Sequence, residues 1–165
     1  MNVKRFYAIA ACDPKGVLGK SGRLPWHYPE DLQHFAKTTC NHIIVMGFRS
    51  YLTFPKKYCK ERLVIVFSRQ HQMEFQKKSN VIIVNSLQDF LSLKCLSEGK
   101  DVYISGGAQI YTLFLQSNLI KELVLTELKQ SYEGDVFLPL SLIRDWPRKK
   151  VQENKDFAIY HYLNE

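Results

Sequence analysis

The chain lacks the features that define several large classes of protein. Its 165 residues contain no apolar stretch close to the ~20 residues that a membrane-spanning helix needs. It has no internal repeat, no low-complexity tract and no linker-like segment. With 45% hydrophobic and 13% aromatic residues, it also lacks the polar composition of a disordered chain. One ordered domain over residues 1–165 is therefore predicted.

The chain has few cysteines and no pattern that groups them. The four are Cys12, Cys40, Cys59 and Cys95. None forms a CxxC pair, and no Cys/His spacing is typical of zinc, so no metal is predicted. Scattered cysteines fit a reducing compartment, which predicts the cytoplasm. The apolar run after Lys4-Arg5 ends in Asp13-Pro14 and is interpreted as a buried strand, not a signal peptide.

The net charge of +7 permits nucleic acid, a membrane surface or a small anionic ligand as a partner. The chain contains no known nucleic-acid motif, and its aromatics do not interleave with Arg and Lys as a stacking platform would. Neither nucleic acid nor a membrane is therefore expected as a partner. A phosphate-rich small molecule needs only two or three of these charges.

Short apolar runs alternate with helical patterns, which predicts an α/β fold with a largely parallel sheet. The predicted strands are Val3–Cys12, His42–Met46, Leu63–Phe67, Val81–Val84, Val102–Ser105 and Leu119–Leu128. The predicted helices are Glu30–Thr38, Arg49–Phe54, Leu87–Leu96 and Ala108–Leu115, with Ser86 as the N-cap of the third. Trp146–Val151 and Phe157–Tyr162 are expected to form an antiparallel hairpin that closes the sheet.

The segment Leu24–Asp31 carries the most informative acid of the chain. Pro29 suits the first position of a helix, and from there Asp31, Leu32 and Phe35 share one side. An acid on this mostly apolar face either complements the helix dipole or binds a polar group in a dry pocket. Burial in such a pocket would raise the pKa of Asp31.

Two strand-to-helix turns contain glycine. Gly106-Gly107 follows a buried strand and precedes a helix, and Gly47 is placed in the same way before Arg49 and Ser50. Two such turns in one sheet indicate a long phosphorylated ligand across the strand ends, although a tight turn explains each glycine equally well. Arg69 follows a third strand and would add a cationic contact.

The loop from Asp13 to Pro25 is long for so small a domain. It contains Gly16, Gly19 and Gly22 and leads directly into the Trp26/Asp31 segment. A long loop beside a candidate acid is typical of an active-site lid, and an ordinary surface connection is the alternative.

Together these segments resemble the dihydrofolate reductase family. The resemblance rests on Ile9-Ala10-Ala11, Val17-Leu18-Gly19, Gly22-Arg23-Leu24-Pro25-Trp26, Asp31-Leu32 with Phe35, Val45-Met46-Gly47, Arg62 with Ser68-Arg69, Gly106-Gly107 with Tyr111, Leu125-Thr126, and Glu133-Gly134-Asp135 with Phe137 and Pro139. It implies one α/β domain with a predominantly parallel eight-stranded sheet, an antiparallel C-terminal hairpin and about four flanking helices. It further implies a monomer that uses NADPH to reduce 7,8-dihydrofolate to tetrahydrofolate and is inhibited by antifolates.

The resemblance also implies site residues. Asp31 would bind the pterin, Thr126 would hydrogen-bond to its carboxylate, and Trp26 would hold a water nearby. Arg62 would pair with the substrate's α-carboxylate. The implied substrate contacts are Ile9, Ala10, Leu24, Asp31, Leu32, Phe35, Phe54, Cys59, Arg62, Ser105, Tyr111 and Thr126.

The cofactor site implied by the resemblance follows the glycine turns, with an adenosine-binding part at roughly residues 42–99 and a cis peptide between Gly106 and Gly107. The implied contacts are Ala11, Leu18, Gly19, Gly47, Phe48, Arg49, Ser50, Phe67, Ser68, Arg69, Gly106, Gly107, Ala108, Gln109, Ile110 and Tyr111.

Three positions depart from the family pattern. Phe48 stands where many members have an Arg that helps bind the 2′-phosphate of NADPH, and Arg49 and Arg69 are expected to compensate. Ser105 replaces a branched apolar residue and Cys59 replaces a Leu, so antifolate affinity is expected to be unusual.

Two other functions are consistent with parts of the sequence. A related pyrimidine reductase of riboflavin synthesis would share the sheet and the glycine turn, but it would not explain Trp26 with Asp31. A silent relative or a basic nucleic-acid-binding module would be consistent with the charge alone.

Overall fold

A central eight-stranded β-sheet organises the protein, whose computed structural model describes residues 4–70 and 80–165. The strands are β1 Phe6–Cys12, β2 Val17–Gly19, β3 Ile43–Gly47, β4 Leu63–Phe67, β5 Val81–Val84, β6 Val102–Ile104, β7 Ile120–Leu128, β8 Val136–Phe137, β9 Arg148–Glu153 and β10 Phe157–Leu163. The order across the large sheet is β5-β4-β3-β6-β1-β7-β10-β9, and β2 pairs with β8 in a separate two-stranded sheet.

The sheet is predominantly parallel. All neighbours from β5 to β7 pair in parallel, and β10 is antiparallel to both β7 and β9. The predicted parallel sheet with a C-terminal hairpin is therefore confirmed. Strands such as β3 and β4 are almost continuously apolar because helices cover both of their faces.

Four α-helices lie in the described chain: α1 Pro29–Thr39, α2 Phe48–Thr53, α3 Leu87–Leu91 and α4 Ala108–Gln116. Ser86 caps α3 as predicted, because its side chain accepts a hydrogen bond from the Asp89 N–H at 3.1 Å. The predicted extent of α3, to Leu96, was wrong. The extended backbone of Leu93 interrupts it, and a separate 3₁₀ turn follows at Lys94–Ser97.

The helices divide the core into two layers. Phe90 of α3 and Phe114 of α4 pack with Phe6 on one face of the sheet. Phe35 of α1 packs with the residues of the other face. Because side chains alternate along a strand, Thr126 of β7 points to the same side as Val124, which is the α1 side.

One strand boundary and one loop differ from the sequence predictions. Strand β9 begins at Arg148, not Trp146, because Pro147 intervenes and the Trp146 N–H bonds to Ile143. The predicted loop 13–25 contains β2, which pairs with β8. Val3, the predicted start of the first strand, lies outside the described residues.

Candidate active site

The ends of three parallel strands bring the glycine turns to one edge of the sheet. Strand β3 ends at Gly47, β4 is followed by Ser68, and β6 leads into Gly106. Ligands bind at this edge in open α/β sheets. The Gly47 N–H donates to the Gly106 carbonyl at 2.9 Å, so the two glycine turns are in direct contact.

The glycine pair leaves no room for side chains. The Gly106–Gly107 peptide is cis, as the resemblance implied. A Cβ on Gly107 would lie 3.0 Å from Ser50 Oγ, and one on Gly106 would lie 3.2 Å from the Tyr111 ring. Tyr111 is buried, its hydroxyl donates to the Ile9 carbonyl at 2.6 Å, and burial raises its pKa. Protein side chains therefore occupy the space next to both α-carbons, which explains why glycine is required at these two positions.

Asp31 of α1 and Thr126 of β7 form the polar centre of the other layer. The Thr126 hydroxyl donates to Asp31 Oδ1 at 2.7 Å. Burial raises the pKa of Asp31, and the bond from Thr126 opposes this effect in part. The carboxylate therefore points toward the sheet, in a partly dry environment suited to proton chemistry.

A small cavity lies beside Asp31. It has a volume of about 30 Å³, and its lining includes Leu24, Trp26, Tyr28 and Leu32. This space suits about one water molecule. Leu24 belongs to the loop before α1, and its side chain is 56% exposed.

Aromatic rings follow Asp31 along α1. The ring centroids of Phe35 and Phe54 are 5.6 Å apart, and those of Phe35 and Tyr58 are 6.2 Å apart. These rings form an apolar wall next to the acid. Tyr58 was not predicted from the sequence, because a 3₁₀ turn provides no periodic pattern that points to its neighbours.

Arg62 lies at the far end of α1 and is 7% exposed. Its Nε donates to Thr39 Oγ1 at 2.9 Å, and its two terminal nitrogens donate to the carbonyls of Lys60 at 2.9 Å and Ala36 at 2.7 Å. A guanidinium has five N–H groups, so each terminal nitrogen keeps one that no hydrogen bond among the described residues uses. Carboxylates are common partners of guanidinium N–H groups. Thr39 was also missed from the sequence.

The other predicted substrate contacts do not all lie on the same face of the sheet. Ile9 faces the α1 layer, whereas Ala10 belongs to the core on the opposite face. Cys59 is buried in the core on the α1 side. Ser105 is half-buried, and its hydroxyl donates to the Tyr103 carbonyl at 3.0 Å.

The candidate cofactor residues differ in how exposed they are. Arg49, Arg69 and Gln109 are exposed. Ser68 is buried and donates to the Gln70 carbonyl at 2.7 Å. By contrast, the Phe67 ring packs against Phe90 and Phe114 in the core. The other members lie half-buried or buried around the turns and are Ala11, Leu18, Gly19, Phe48, Ala108 and Ile110.

The candidate lid is fastened at its base by Asp13. The buried Asp13 carboxylate accepts hydrogen bonds from the N–H groups of Lys15 at 2.9 Å, Val17 at 2.8 Å and Tyr132 at 2.9 Å. Burial acts to raise the pKa of Asp13, but these bonds and the nearby Lys15 ammonium lower it overall. Further along, the Asp135 N–H donates to the Gly19 carbonyl at 3.0 Å.

Two kinds of feature are absent from the described residues. No group of His, Cys, Asp and Glu side chains there could hold a metal ion. No helix of residues 4–70 or 80–165 is long and apolar enough to cross a membrane.

Comparison with known proteins points to one family. The family model described as dihydrofolate reductase matches residues 5–162. A dihydrofolate reductase of Mycoplasma genitalium is 29% identical, covering 94% of this chain and 95% of the relative. That of Staphylococcus haemolyticus is 30% identical, covering 95% and 93%, and that of Haloferax volcanii is 31% identical, covering 92% and 77%.

Proposed function

The chain belongs to the dihydrofolate reductase family and is an enzyme that reduces dihydrofolate to tetrahydrofolate, and we propose that it uses NADPH as the hydride donor and Asp31 as the acid of the site. One observation carries this proposal. Asp31, Phe35 and Thr39 are spaced four residues apart on α1, so they share one face. Thr126 donates a hydrogen bond to Asp31, and Arg62 donates one to Thr39.

This spacing matches the shape of a folate. Eight residues of α-helix span about 12 Å, so the acid and the cation lie at opposite ends of an aromatic wall. A pterin fits the carboxylate of Asp31, a benzoyl ring fits the Phe35 and Phe54 rings, and a carboxylate fits Arg62. In this arrangement Asp31 binds the pterin 2-amino group and N3.

Asp31 also serves the proton transfer. Its raised pKa lets the carboxyl hold a proton closer to neutral pH than an exposed Asp does. Thr126 orients the carboxyl, and the cavity beside Trp26 can hold one water between the acid and the pterin N5. Leu24 and Leu32 supply apolar lining to this cavity.

The sheet edge suits a dinucleotide. Gly47 ends β3 and Gly106-Gly107 leads from β6 into α4, so both turns lie at helix starts, where backbone N–H groups favour phosphate. Ser68, Arg69 and Arg49 would contact phosphates, with the arginines compensating for Phe48 at the 2′-phosphate. NADPH bound there would supply a hydride to C6 of the pterin. The adenosine-binding part is residues 42–99.

The first test is turnover of the purified protein with NADPH and dihydrofolate, followed by the loss of the cofactor's near-ultraviolet absorbance. Asp31→Asn should reduce turnover ~10²–10⁴-fold at neutral pH. Glu30→Gln, which changes the adjacent exposed carboxylate, is the matched control and should keep parental turnover. Nearly full activity of Asp31→Asn would contradict the role of this acid.

The cofactor preference has a separate test. Arg69→Ala should raise the KM for NADPH far more than the KM for NADH, because only NADPH carries the 2′-phosphate. Arg144→Ala, an exposed arginine elsewhere, is the control. Equal effects of Arg69→Ala on the two cofactors would show that Arg69 does not contact the 2′-phosphate.

Inhibition, oligomeric state and location are part of the same proposal. A pterin-mimicking antifolate should stop the reaction, with an affinity altered by Ser105 and Cys59. The monomeric state and the cytoplasmic location remain predictions. NADPH binding without dihydrofolate turnover would favour another substrate, including that of the pyrimidine-reductase alternative.

A further inference from the structure

Tyr132 connects the base of the lid to the acid site. It lies between β7 and β8, in a segment that no sequence pattern singled out. Its four contacts come from Asp13 and Lys15 in the lid base, from Trp26 in the turn before α1 and from Tyr28 at the start of α1. The inference below rests on the proposed function, because it concerns the geometry around Asp31.

The side chain of Tyr132 contacts two of the residues that line the cavity beside Asp31, Trp26 and Tyr28. Its ring centroid lies 5.2 Å from that of Trp26, with the rings tilted by 53°. Its hydroxyl forms a short hydrogen bond with the hydroxyl of Tyr28. Tyr28 in turn provides the carbonyl that accepts the Asp31 N–H at 3.0 Å. The side chain therefore supports the indole and the first turn of α1 together.

The backbone of Tyr132 is held by the lid base. Its N–H donates to Asp13 Oδ2 at 2.9 Å, and its carbonyl accepts from Lys15 Nζ at 2.7 Å. The same Asp13 carboxylate binds the N–H groups of Lys15 and Val17 through its other oxygen. A displacement of the lid base is thus transmitted to the Tyr132 backbone by two polar contacts.

We propose that Tyr132 is a positioning residue that couples the lid to the site, holding Trp26 and the start of α1 where Asp31 can act on the pterin. It touches neither substrate nor cofactor in this role. A residue that only filled space would need neither the hydroxyl bond to Tyr28 nor contacts on both sides of its peptide. Small displacements of groups near a reacting centre have large effects on rate.

The test uses the full chain with Trp146→Phe as the background, so that Trp26 is the only tryptophan and its emission reports its surroundings. Tyr132→Leu removes the ring, and Tyr132→Phe removes only the hydroxyl. Tyr160→Phe, in β10, is the matched control. Circular dichroism establishes that each variant is folded.

Tyr132→Leu should lower kcat ~10-fold, leave the KM for NADPH within about twofold, shift the pH profile of kcat and change the Trp26 emission. Tyr132→Phe should give smaller changes of the same kind, and Tyr160→Phe none. Should Tyr132→Leu fail to fold, the pH profile of Tyr132→Phe decides.

Two results would overturn the proposal: parental kcat and pH profile in both Tyr132 variants, or altered Trp26 emission with parental kinetics, which would mean packing alone. Absence of dihydrofolate turnover in the background protein would instead overturn the proposed function. The Trp26 emission would then still show whether Tyr132 holds the indole.

Discussion

Asp13 and Asp31 differ in the number of hydrogen-bond donors that surround the carboxylate. Three backbone N–H groups point at Asp13, and its pKa falls although burial opposes this. Asp31 accepts a bond from Thr126, and its pKa rises because burial dominates. Asp13 is therefore held ionised and fixes the turn before β2, whereas burial favours the protonated form of the Asp31 carboxyl.

The raised pKa of Asp31 has a consequence for stability. A carboxyl whose folded pKa exceeds its unfolded value of 3.8 binds more protons when folded, so stability declines as the pH rises through the folded pKa. Asp31→Asn removes this cost. We expect its free energy of unfolding at pH 7 to exceed that of the parent by on the order of 1 kcal/mol.

Denaturant unfolding of both proteins across a pH series checks this expectation. The advantage of Asp31→Asn should shrink as the pH falls from 7 toward the unfolded value of 3.8, because the folded carboxyl then takes up its proton and loses the cost of the buried charge. A difference that stays constant between pH 7 and pH 4 would show that the buried charge is not its cause.

The hydrogen bond from Arg62 to Thr39 gives a prediction about substrate binding. Thr39→Val leaves the Arg62 Nε–H without its acceptor and frees the Phe35 carbonyl. Because Arg62 is proposed to bind the substrate carboxylate, the KM for dihydrofolate should rise ~10-fold while kcat changes little. Steady-state kinetics measures both constants.

Thr39→Ser keeps the hydroxyl and should restore the parental KM. Thr53→Val, which removes an exposed hydroxyl from α2, is the control. An unchanged KM in Thr39→Val would mean that Arg62 is held sufficiently by the carbonyls of Lys60 and Ala36.

Among the elements, α1 shows what the sequence could and could not predict. The spacing of Asp31 and Phe35 and the position of Pro29 were enough to predict a helix with an acid on its apolar face. The partner of Thr39 could not be predicted in this way. Arg62 lies 23 residues further along the chain, and no local periodicity relates the two.

The pairing of β2 with β8 was missed for a similar reason. The strands have three and two residues, too few for an alternating pattern to be recognised. Their pairing depends on contacts between segments more than 100 residues apart. Tyr132 belongs to the same region, which explains why its contacts with Trp26 and Tyr28 were also missed.

Gly134 makes the β2–β8 pairing sensitive to a single methyl group. A Cβ there would lie 2.2 Å from Val17 Cγ1 and 2.7 Å from the Gly19 carbonyl oxygen, so the backbone must move. Gly134→Ala should therefore displace the lid and lower kcat/KM ~10-fold. Kinetics together with the Tm of the variant measures the effect.

Gly99→Ala separates this clash from general backbone strain. Gly99 has a φ of +87° and nothing within 4 Å of its added Cβ. Its variant should lose some stability but keep parental kcat/KM. If Gly134→Ala behaved in the same way as Gly99→Ala, the lid would not depend on the β2–β8 pairing.

Across the whole chain, the apolar strands and the glycines that follow them were sufficient to predict that the glycine turns meet at one edge of the sheet. Parallel strands place their carboxyl ends at one edge, so Gly47, Ser68 and Gly106 had to converge there. Which residues present side chains to a ligand required the three-dimensional structure. Phe67, for example, ends β4 as predicted and was expected to contact the cofactor, but its ring packs against Phe90 in the core.

The net charge of +7 acts at this scale on anionic ligands. A positive field attracts anionic ligands, among them dihydrofolate and the proposed cofactor NADPH, and it is screened when the Debye length falls below the size of the site. Raising NaCl from about 0.05 to about 0.5 M should therefore lower kcat/KM for NADPH several-fold, with a smaller change in kcat. Arg69 is exposed and proposed to lie at the cofactor, so Arg69→Ala should reduce this salt dependence. Lys150→Ala, an exposed lysine on β9, should retain it, since one charge far from the cofactor contributes little at these ionic strengths. Equal salt dependence in the two variants would mean that the field comes from the overall charge and not from Arg69.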